Sequence, residues 1–246
     1  MAKLSETLEQ SFGSGSESAL VNTVVYDAPG SYTYTPTAGV QTIRLMICAG
    51  GGDGALIPIG DTPGAGEYRA GAGGGAGASG EYILDISAMG GGNAAVEVGE
   101  GGIGGNDGGD SSFVMGGTSI IMEGGKKGPG YVTQASHPAK SVGGAGGAVL
   151  DETLSFPGER VFSTAGQDGG YAIALSATKA LSGRGGNTRH GVGGLEQMVD
   201  ANVADSHGNP GYGYGTGGAG GASANGDGNQ SGGNAGDGLV VIFEYK

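Results

Sequence analysis

GAGGGAGASGEYILDISAMGGGNAAVEVGEGGIGGNDGG, residues 71–109, sets two short β-type runs between three glycine tracts. Residues 81–87 (EYILDIS) alternate loosely between apolar and polar, and Ala94–Val98 (AAVEV) alternates more clearly, the period of a half-buried strand. Neither run carries an obvious catalytic group. The tracts lack the side chains of an ordinary hydrophobic core. The rest of the chain repeats this order of short strand, glycine tract and short strand, so the tracts are the architecture and the segments between them are where function can sit.

The composition sharpens that reading. Glycine supplies 61 of 246 residues, against an ordinary share of about 7%. Such a composition commonly signals disorder, because glycine loses more backbone entropy on ordering than any other residue. Two features oppose it here: the apolar fraction is 37%, and the segments between tracts read as strands rather than Ser/Gln/Pro linker. No strict Gly-X-Y period holds and only 8 residues are proline, which excludes collagen. The net charge of −13 excludes a basic nucleic-acid footprint, and the scattered acids read as a solubility feature. The lone Cys48, inside the apolar run 43–49, reads as a small buried residue. Residues 1–10 have no apolar core of the signal-peptide kind, and no run approaches the ~18 apolar residues of a spanning helix. The expectation is a soluble protein made in the cytoplasm, without membrane insertion.

In chain order, residues 1–18 are polar, with a weak helical pattern at Leu4 and Leu8 and a GSGS element at 13–16. Residues 1–20 read as an attachment arm or linker, and 21–246 as the glycine-rich body. Strands are expected at 20–26, 31–36 (SYTYTP, Tyr32 and Tyr34 on one face) and 40–49, the strongest, with Ile43, Leu45 and Ile47 on one side. Residues 53–69 read as a loop. Residues 112–115 and 118–122 read as two strands about a Gly-Gly pair, and 239–245 (LVVIFEY) as a terminal strand buried on both faces. Residues 131–181 are poorer in glycine and read as an insertion with its own role. Two windows read as helical: 172–181 (AIALSATKAL), and 195–206, with Leu195, Met198, Val199 and Val203 in helical spacing.

The fold class is therefore mainly β, short strands plus packed glycine segments, with little helix. Glycine forms an extended three-residue helix of the polyproline II type with no internal hydrogen bonds. Several packed side by side can bond laterally and satisfy their backbone groups. Tracts at 71–80, 99–109, 143–148, 183–194 and 208–238 are the expected members of such a lattice.

At this point a resemblance enters. Pro29-Gly30-Ser31-Tyr32-Thr33-Tyr34-Thr35-Pro36, then Ala38-Gly39-Val40 and the strand running into Ala49-Gly50-Gly51-Gly52, resembles the entry motif of the glycine-rich domain of bacteriophage tail fibre proteins. The run 77–84, Val96-Glu97-Val98-Gly99-Glu100-Gly101-Gly102, 107–113 and the ending 234–242 resemble it too, so that it covers about 27–246. It implies a virion surface structure at or near a receptor-binding tip, and polyglycine-II packing of the kind known in some phage adhesin tips.

Candidate chemistry is sparse. Gly99-x-Gly101-x-x-Gly104 matches a dinucleotide fingerprint, but no helix is expected after it to meet a pyrophosphate. Gly125-Lys126 lacks the Ser/Thr of a phosphate loop. Asn106, Asp107 and Asp110 resemble one imperfect copy of a calcium repeat, and turn residues are the plainer reading. His137, His190 and His207 lack metal-ligand spacing, and no nucleophile elbow precedes a helix. Asp151/Glu152 and Glu196/Asp200 are only formal carboxylate pairs for a polysaccharide-degrading tip. The expectation is a non-enzyme without cofactor, metal or nucleic acid.

Recognition is the better fit, since tyrosine gives large, stiff, amphipathic contact area. The receptor-contact candidates are Tyr68, Arg69, Tyr131, His137, Tyr171, Arg184, Arg189, His190, Tyr212 and Tyr214. Segments 55–69, 131–142, 149–164 and 195–214 are expected to face a bacterial surface receptor, protein or glycan. The arm is expected to bind other virion proteins, in a homo-oligomer with a trimer favoured. The functional expectation is a tail-fibre or baseplate-associated adhesin. The alternative is a purely structural virion protein such as a capsid decoration or head fibre.

Overall fold

The computed structural model describes residues 19–58, 68–87, 92–133, 139–154, 158–176, 179–200, 206–224 and 230–246. The expected arm, apart from Ala19 and Leu20, lies outside them. The described residues are mainly β, with antiparallel sheets and no α-helix.

At one end lie two five-stranded sheets. The first runs β1 (Leu20–Tyr26), β19 (Leu239–Tyr245), β3 (Thr42–Cys48), β5 (Ser79–Asp85), β12 (Gly158–Thr164). The second runs β11 (Val149–Thr153), β8 (Thr118–Met122), β7 (Ser111–Met115), β6 (Ala94–Val98), β2 (Gly30–Tyr34). Alternation decides their inner faces: Ile43, Leu45 and Ile47 of β3, Tyr82 and Leu84 of β5, and Val96, Phe113, Ile120 and Met122 of the second sheet form one core. Gly116 and Gly117, at φ 52° and 92°, close the β7–β8 hairpin, as a two-residue turn with both residues at positive φ requires. Buried Glu244 anchors the core's edge, accepting Tyr34 Oη–H at 2.8 Å and the Thr37 hydroxyl at 2.6 Å. Because β1 opens the described chain here, we call this the N-terminal end.

At the far end β10 (Ala139–Ser141), β13 (Ala172–Ser176), β14 (Lys179–Leu181) and β16 (Met198–Asp200) form one sheet, and β18 (Ala222–Ala224), β4 (Tyr68–Gly71) and β9 (Tyr131–Thr133) another. Their smaller core is mostly alanine: Ala70, Ala172, Ala174, Ala180 and Ala222, with Tyr68, Val132 and Val199. Both helical expectations are corrected here. In 172–181 burial alternates, with Ala172 and Ala174 inside and Leu175 out, and β13 pairs with β14 in a hairpin. In 195–206 the described part contains β16; Leu195 and Met198 are exposed, and only Val199 faces the core.

Between the two ends, the described residues form a lattice of twelve tracts: 49–57, 71–78, 99–102, 106–109, 123–130, 142–148, 165–170, 182–187, 193–197, 207–211, 214–221 and 230–238, numbered 1 to 12 below. Its bonding repeats every three residues. In tract 1, Ala49, Gly52 and Ala55 donate to Ala78, Gly75 and Ala72 of tract 2. Gly50 and Asp53 donate to Gly109 and Asn106 of tract 4, and Gly51, Gly54 and Ile57 to Gly236, Gly233 and Gln230 of tract 12, all at 2.8–3.1 Å. The carbonyls of tract 1 accept from tracts 3, 5 and 11. Tract 2 donates to tracts 5, 7 and 11 and accepts from tracts 1, 6 and 8; tract 11 bonds to tracts 1, 2, 8, 9, 10 and 12. Each of these three tracts thus has six neighbours, they adjoin one another, and the other nine ring them: hexagonal packing. Buried backbone groups must find partners, and here lateral partners replace the ladder of a sheet. The packing leaves no room for side chains. A Cβ on Gly54 would sit 1.8 Å from the Ala219 carbonyl oxygen, and one on Gly74 2.1 Å from that of Gly52.

The outer ring uses side chains as surrogate carbonyls. Asp237 Oδ1 accepts Gly101 N–H, Asp110 Oδ1 accepts Gly124 N–H, Asp107 Oδ1 accepts Lys127 N–H, and Asp168 Oδ1 accepts Gly146 N–H, at 2.7–2.9 Å. The GGNDGGD segment therefore stitches tracts together, and part of the acidity read as a solubility feature is structural.

Three boundary expectations change. Residues 53–57 belong to tract 1 and not to a loop. Residues 131–181 are woven into both ends and supply tracts 6 and 7. Strand β19 has both edges filled by its own chain, β1 and β3, with Val241, Phe243 and Tyr245 of its outer face half-buried.

Candidate functional site

The lattice sorts the recognition candidates onto two ends. Each full-length tract joins one end to the other, so a residue's place along its tract fixes its end. Tyr68, Arg69, Tyr131 and Tyr171 lie at the far end and Arg184 near it; Arg189, His190, Tyr212 and Tyr214 lie toward the N-terminal end. His137 lies outside the described residues.

Far-end strands expose one face because their inner positions are alanine packed against the neighbouring sheet. Register aligns Lys140, Ile173, Leu181 and Met198 in one row across β10, β13, β14 and β16. Leu175, two residues beyond Ile173, shares that face and is exposed, as are Tyr171 and Met198. Lys140 Nζ stands 5.4 Å from the centre of the Tyr171 ring, a cation–π distance. Gly170, which precedes Tyr171, donates its N–H to the Arg184 carbonyl at 2.6 Å, bringing exposed Arg184 alongside. The result is an apolar, aromatic face rimmed by Lys140, Lys179 and Arg184, with Glu196 and Asp200 as the acids nearest in sequence to Met198.

Two far-end candidates are not surface residues. Tyr68 belongs to the small core and Arg69 is buried, its guanidinium 5.5 Å from the centre of the Tyr131 ring. Arg69 meets the Tyr131 ring and Tyr68 fills the core, so neither offers contact area. Lys140 and Met198 fall within the expected segments 131–142 and 195–214 but are not singled out there, and Leu175 lies outside every expected segment; a helical assignment hides the alternation that turns Leu175 and Met198 outward.

Toward the N-terminal end the turns joining tract 8 to 9 and tract 10 to 11 stand together, linked by β15 (Gly191–Val192) and β17 (Tyr212–Gly213). Tyr212 projects from this shelf at 71% exposure, and Tyr214 is half-buried. The Arg189 guanidinium lies 4.0 Å from the Phe162 ring centre. His190 is half-buried; desolvation, then the neighbouring Arg189 charge, holds its pKa below the ordinary histidine value. Cys48 is buried as expected, its thiol pushed up to about 12 by burial.

The formal carboxylate pair 151/152 is occupied. Glu152 accepts Tyr82 Oη–H and Arg160 Nη1–H, and Asp151 accepts the Thr153 hydroxyl at 2.7 Å. Among the described residues no group of three or more His, Cys, Asp or Glu side chains is placed to hold a metal ion. Nor is there, among the described residues, a helix long and apolar enough to cross a membrane. A family model described as a glycine-rich domain matches residues 27–246. No curated protein matches the chain.

Proposed function

The chain belongs to that glycine-rich domain family, and from this premise we propose that it is a phage virion adhesin, a rigid platform that carries a recognition face away from an attachment end. The twelve tracts are read as polyglycine-II-type helices, a reading supported by their three-residue alternation of partners. The observation that carries the functional reading is the separation of the two ends. The chain enters at the N-terminal end, where residues 1–18 precede β1, and an exposed apolar and aromatic face lies at the other. With eight residues in tract 2, and so seven rises of about 3.1 Å, the ends stand roughly 22 Å apart.

The face suits recognition by shape and aromatic contact, since an exposed apolar patch rimmed by polar groups marks an interaction surface. Of the expected receptor-facing segments, the described parts of 55–69 and 131–142, and residues 195–200 of 195–214, share this end. Segment 149–164 and the turn at 212–214 lie on the other, so the proposed receptor face is the narrower set. A lattice closed within one chain also suits a platform, whatever number of copies assemble.

The reading is tested by labelling virions with an antibody against this chain, together with a Tyr171→Ala/Leu175→Ser variant in an adsorption assay. Label at the far tip of the tail or its fibres and a variant that adsorbs poorly support the adhesin. Label on the head, with normal adsorption by the variant, replaces it with a capsid decoration or head fibre.

A further inference from the structure

Around the outer ring most neighbouring tracts are joined backbone to backbone, but the seam between tracts 7 and 8 opens toward the N-terminal end. Past Gly170 and Arg184 the described join is made by a side chain: Asn187 N–H donates to Gln167 Oε1 at 3.0 Å. A groove of about 340 Å³ opens there, lined by Ser79, Thr164, Gln167, Asn187, Thr188 and Arg189 among others.

The bonding of these side chains fixes what the groove offers. Gln167 spends its amide oxygen on Asn187 N–H, and Asn187 spends its own on Gly193 N–H at 2.8 Å. A backbone N–H needs an acceptor, so both amides are oriented oxygen-inward and both keep their NH₂ groups as donors. Thr188 Oγ1 is engaged with the Tyr214 carbonyl at 2.7 Å and with His190 N–H at 3.1 Å. The Arg189 guanidinium carbon stands 4.0 Å from the centre of the Phe162 ring, a cation–π contact that spends none of its N–H donors. Among the described residues the ion pairs are Arg44–Glu81, Lys126–Asp107, Lys126–Glu123 and Arg160–Glu152, so Arg189 has no carboxylate partner there. Neither nearby acid lines the groove: Glu81, opposite Phe162 across the sheet, is paired with Arg44 at 2.7 Å, and Asp168 Oδ1 accepts Gly146 N–H. On a chain of net charge −13, the one charged side chain lining this groove is a cation, Arg189, and its amides add donors.

We propose that the groove between tracts 7 and 8 binds an oxyanion, a carboxylate or phosphate group, through the Arg189 guanidinium and the side-chain NH₂ groups of Gln167 and Asn187. Arg pairs with such planar or tetrahedral oxygens by charge-assisted hydrogen bonds. The groove opens toward the N-terminal end, away from the receptor face of the adhesin reading. The oxyanion site itself does not depend on that reading.

The test titrates the ¹⁵N-labelled full chain with inorganic phosphate, with glucuronate and with neutral glucose. Phosphate and glucuronate should perturb amides at 164–167 and 187–189, glucose should not, and the perturbation should weaken with added salt. Glucuronate at least tenfold tighter than phosphate assigns the site to an acidic sugar; equal affinities assign it to the bare oxyanion. Asn187→Asp and Gln167→Glu keep the oxygens that Gly193 and Asn187 need, so they should fold, yet each replaces a donor by negative charge. Each should weaken anion binding at least tenfold, as should Arg189→Gln. The proposal is overturned if neither anion perturbs these amides, or if Asn187→Asp binds as the wild type does.

Discussion

In β3, Ile43, Leu45 and Ile47 fill a core with side chains; two residues further on, Gly50, Gly51 and Gly52 are equally buried with none. One continuous stretch thus uses two opposite ways to exclude water. The sheet ends gain from burying apolar area and from close packing of shapes. The lattice gains by pairing backbone groups laterally, at a spacing that most of its positions allow only to glycine, with side chains kept where the three-residue repeat turns them into a gap or outward. The contrast inverts the usual rules of substitution: adding a methyl group is the severe change in the lattice, and removing one is the severe change in the sheets.

That inversion can be broken most directly at Gly74. Its added Cβ would meet the Gly52 and Asp53 carbonyl oxygens at 2.1 and 2.4 Å, both on the rigid backbone of tract 1. Gly74→Ala should prevent folding, beyond the ~1–3 kcal/mol of ordinary overpacking. Gly130→Ala, where nothing lies within 4 Å, should change stability by no more than about 0.5 kcal/mol. Denaturant unfolding of both variants checks the pair, and equal effects would end the comparison.

The sheet ends should differ from each other as well. Phe113→Ala in the large core should cost about 3–5 kcal/mol. Val199→Ala in the alanine-lined far core should cost less, about 1.5–3 kcal/mol. The same unfolding curves rank them, and a larger loss at Val199 would reverse the account of which end carries the stability.

A smaller effect should follow pH. Burial pushes the Glu244 carboxyl upward, but the Thr37 and Tyr34 donors outweigh it and hold its pKa below the usual value of 4.5. A depressed carboxyl contributes stability that is present above its unfolded pKa and lost as pH falls through its folded one. The melting temperature should therefore drop as pH goes below about 4.5. Glu244→Gln should flatten that slope while lowering stability at neutral pH by about 1–3 kcal/mol. A slope unchanged in the variant would assign the acid sensitivity elsewhere.

The smallest effect on stability is expected at the exposed face. Tyr171→Ala should leave unfolding within about 0.5 kcal/mol of wild type while reducing adsorption. A marked loss of stability would turn the ring from a contact residue into a cap on the lattice.

The sequence made the sheet strands legible, because alternation at 43–47, 94–98 and 111–122 reports a face directly. It also pointed to the lattice, but not to all its members. Tracts 1, 5 and 7 were obscured by Asp53, Lys126 and Gln167, whose side chains are tolerated only because of where the three-residue repeat turns them; runs of glycine were the signal, and these break the run. The long tracts at 183–194 and 208–238 hid the turns that split them into five. The helical windows failed for a related reason. At 172–181 and 195–200 apolar residues face outward, so spacing that elsewhere marks a buried stripe marked an exposed sheet face. Among the recognition residues, aromatic and basic type was legible. Burial of Tyr68 and Arg69, and the division of the rest between two ends, depend on tract directions that local sequence does not carry.

Amide hydrogen exchange tests the central claim most directly. If 49–57, 71–78 and 214–221 are the fully surrounded members of a bonded lattice, their amides should be protected as long as those of β3 and β19, opening only with the whole molecule. Exchange of these amides at the rate of free coil, with the strands still protected, would contradict the lattice and leave two sheet ends joined by unstructured glycine.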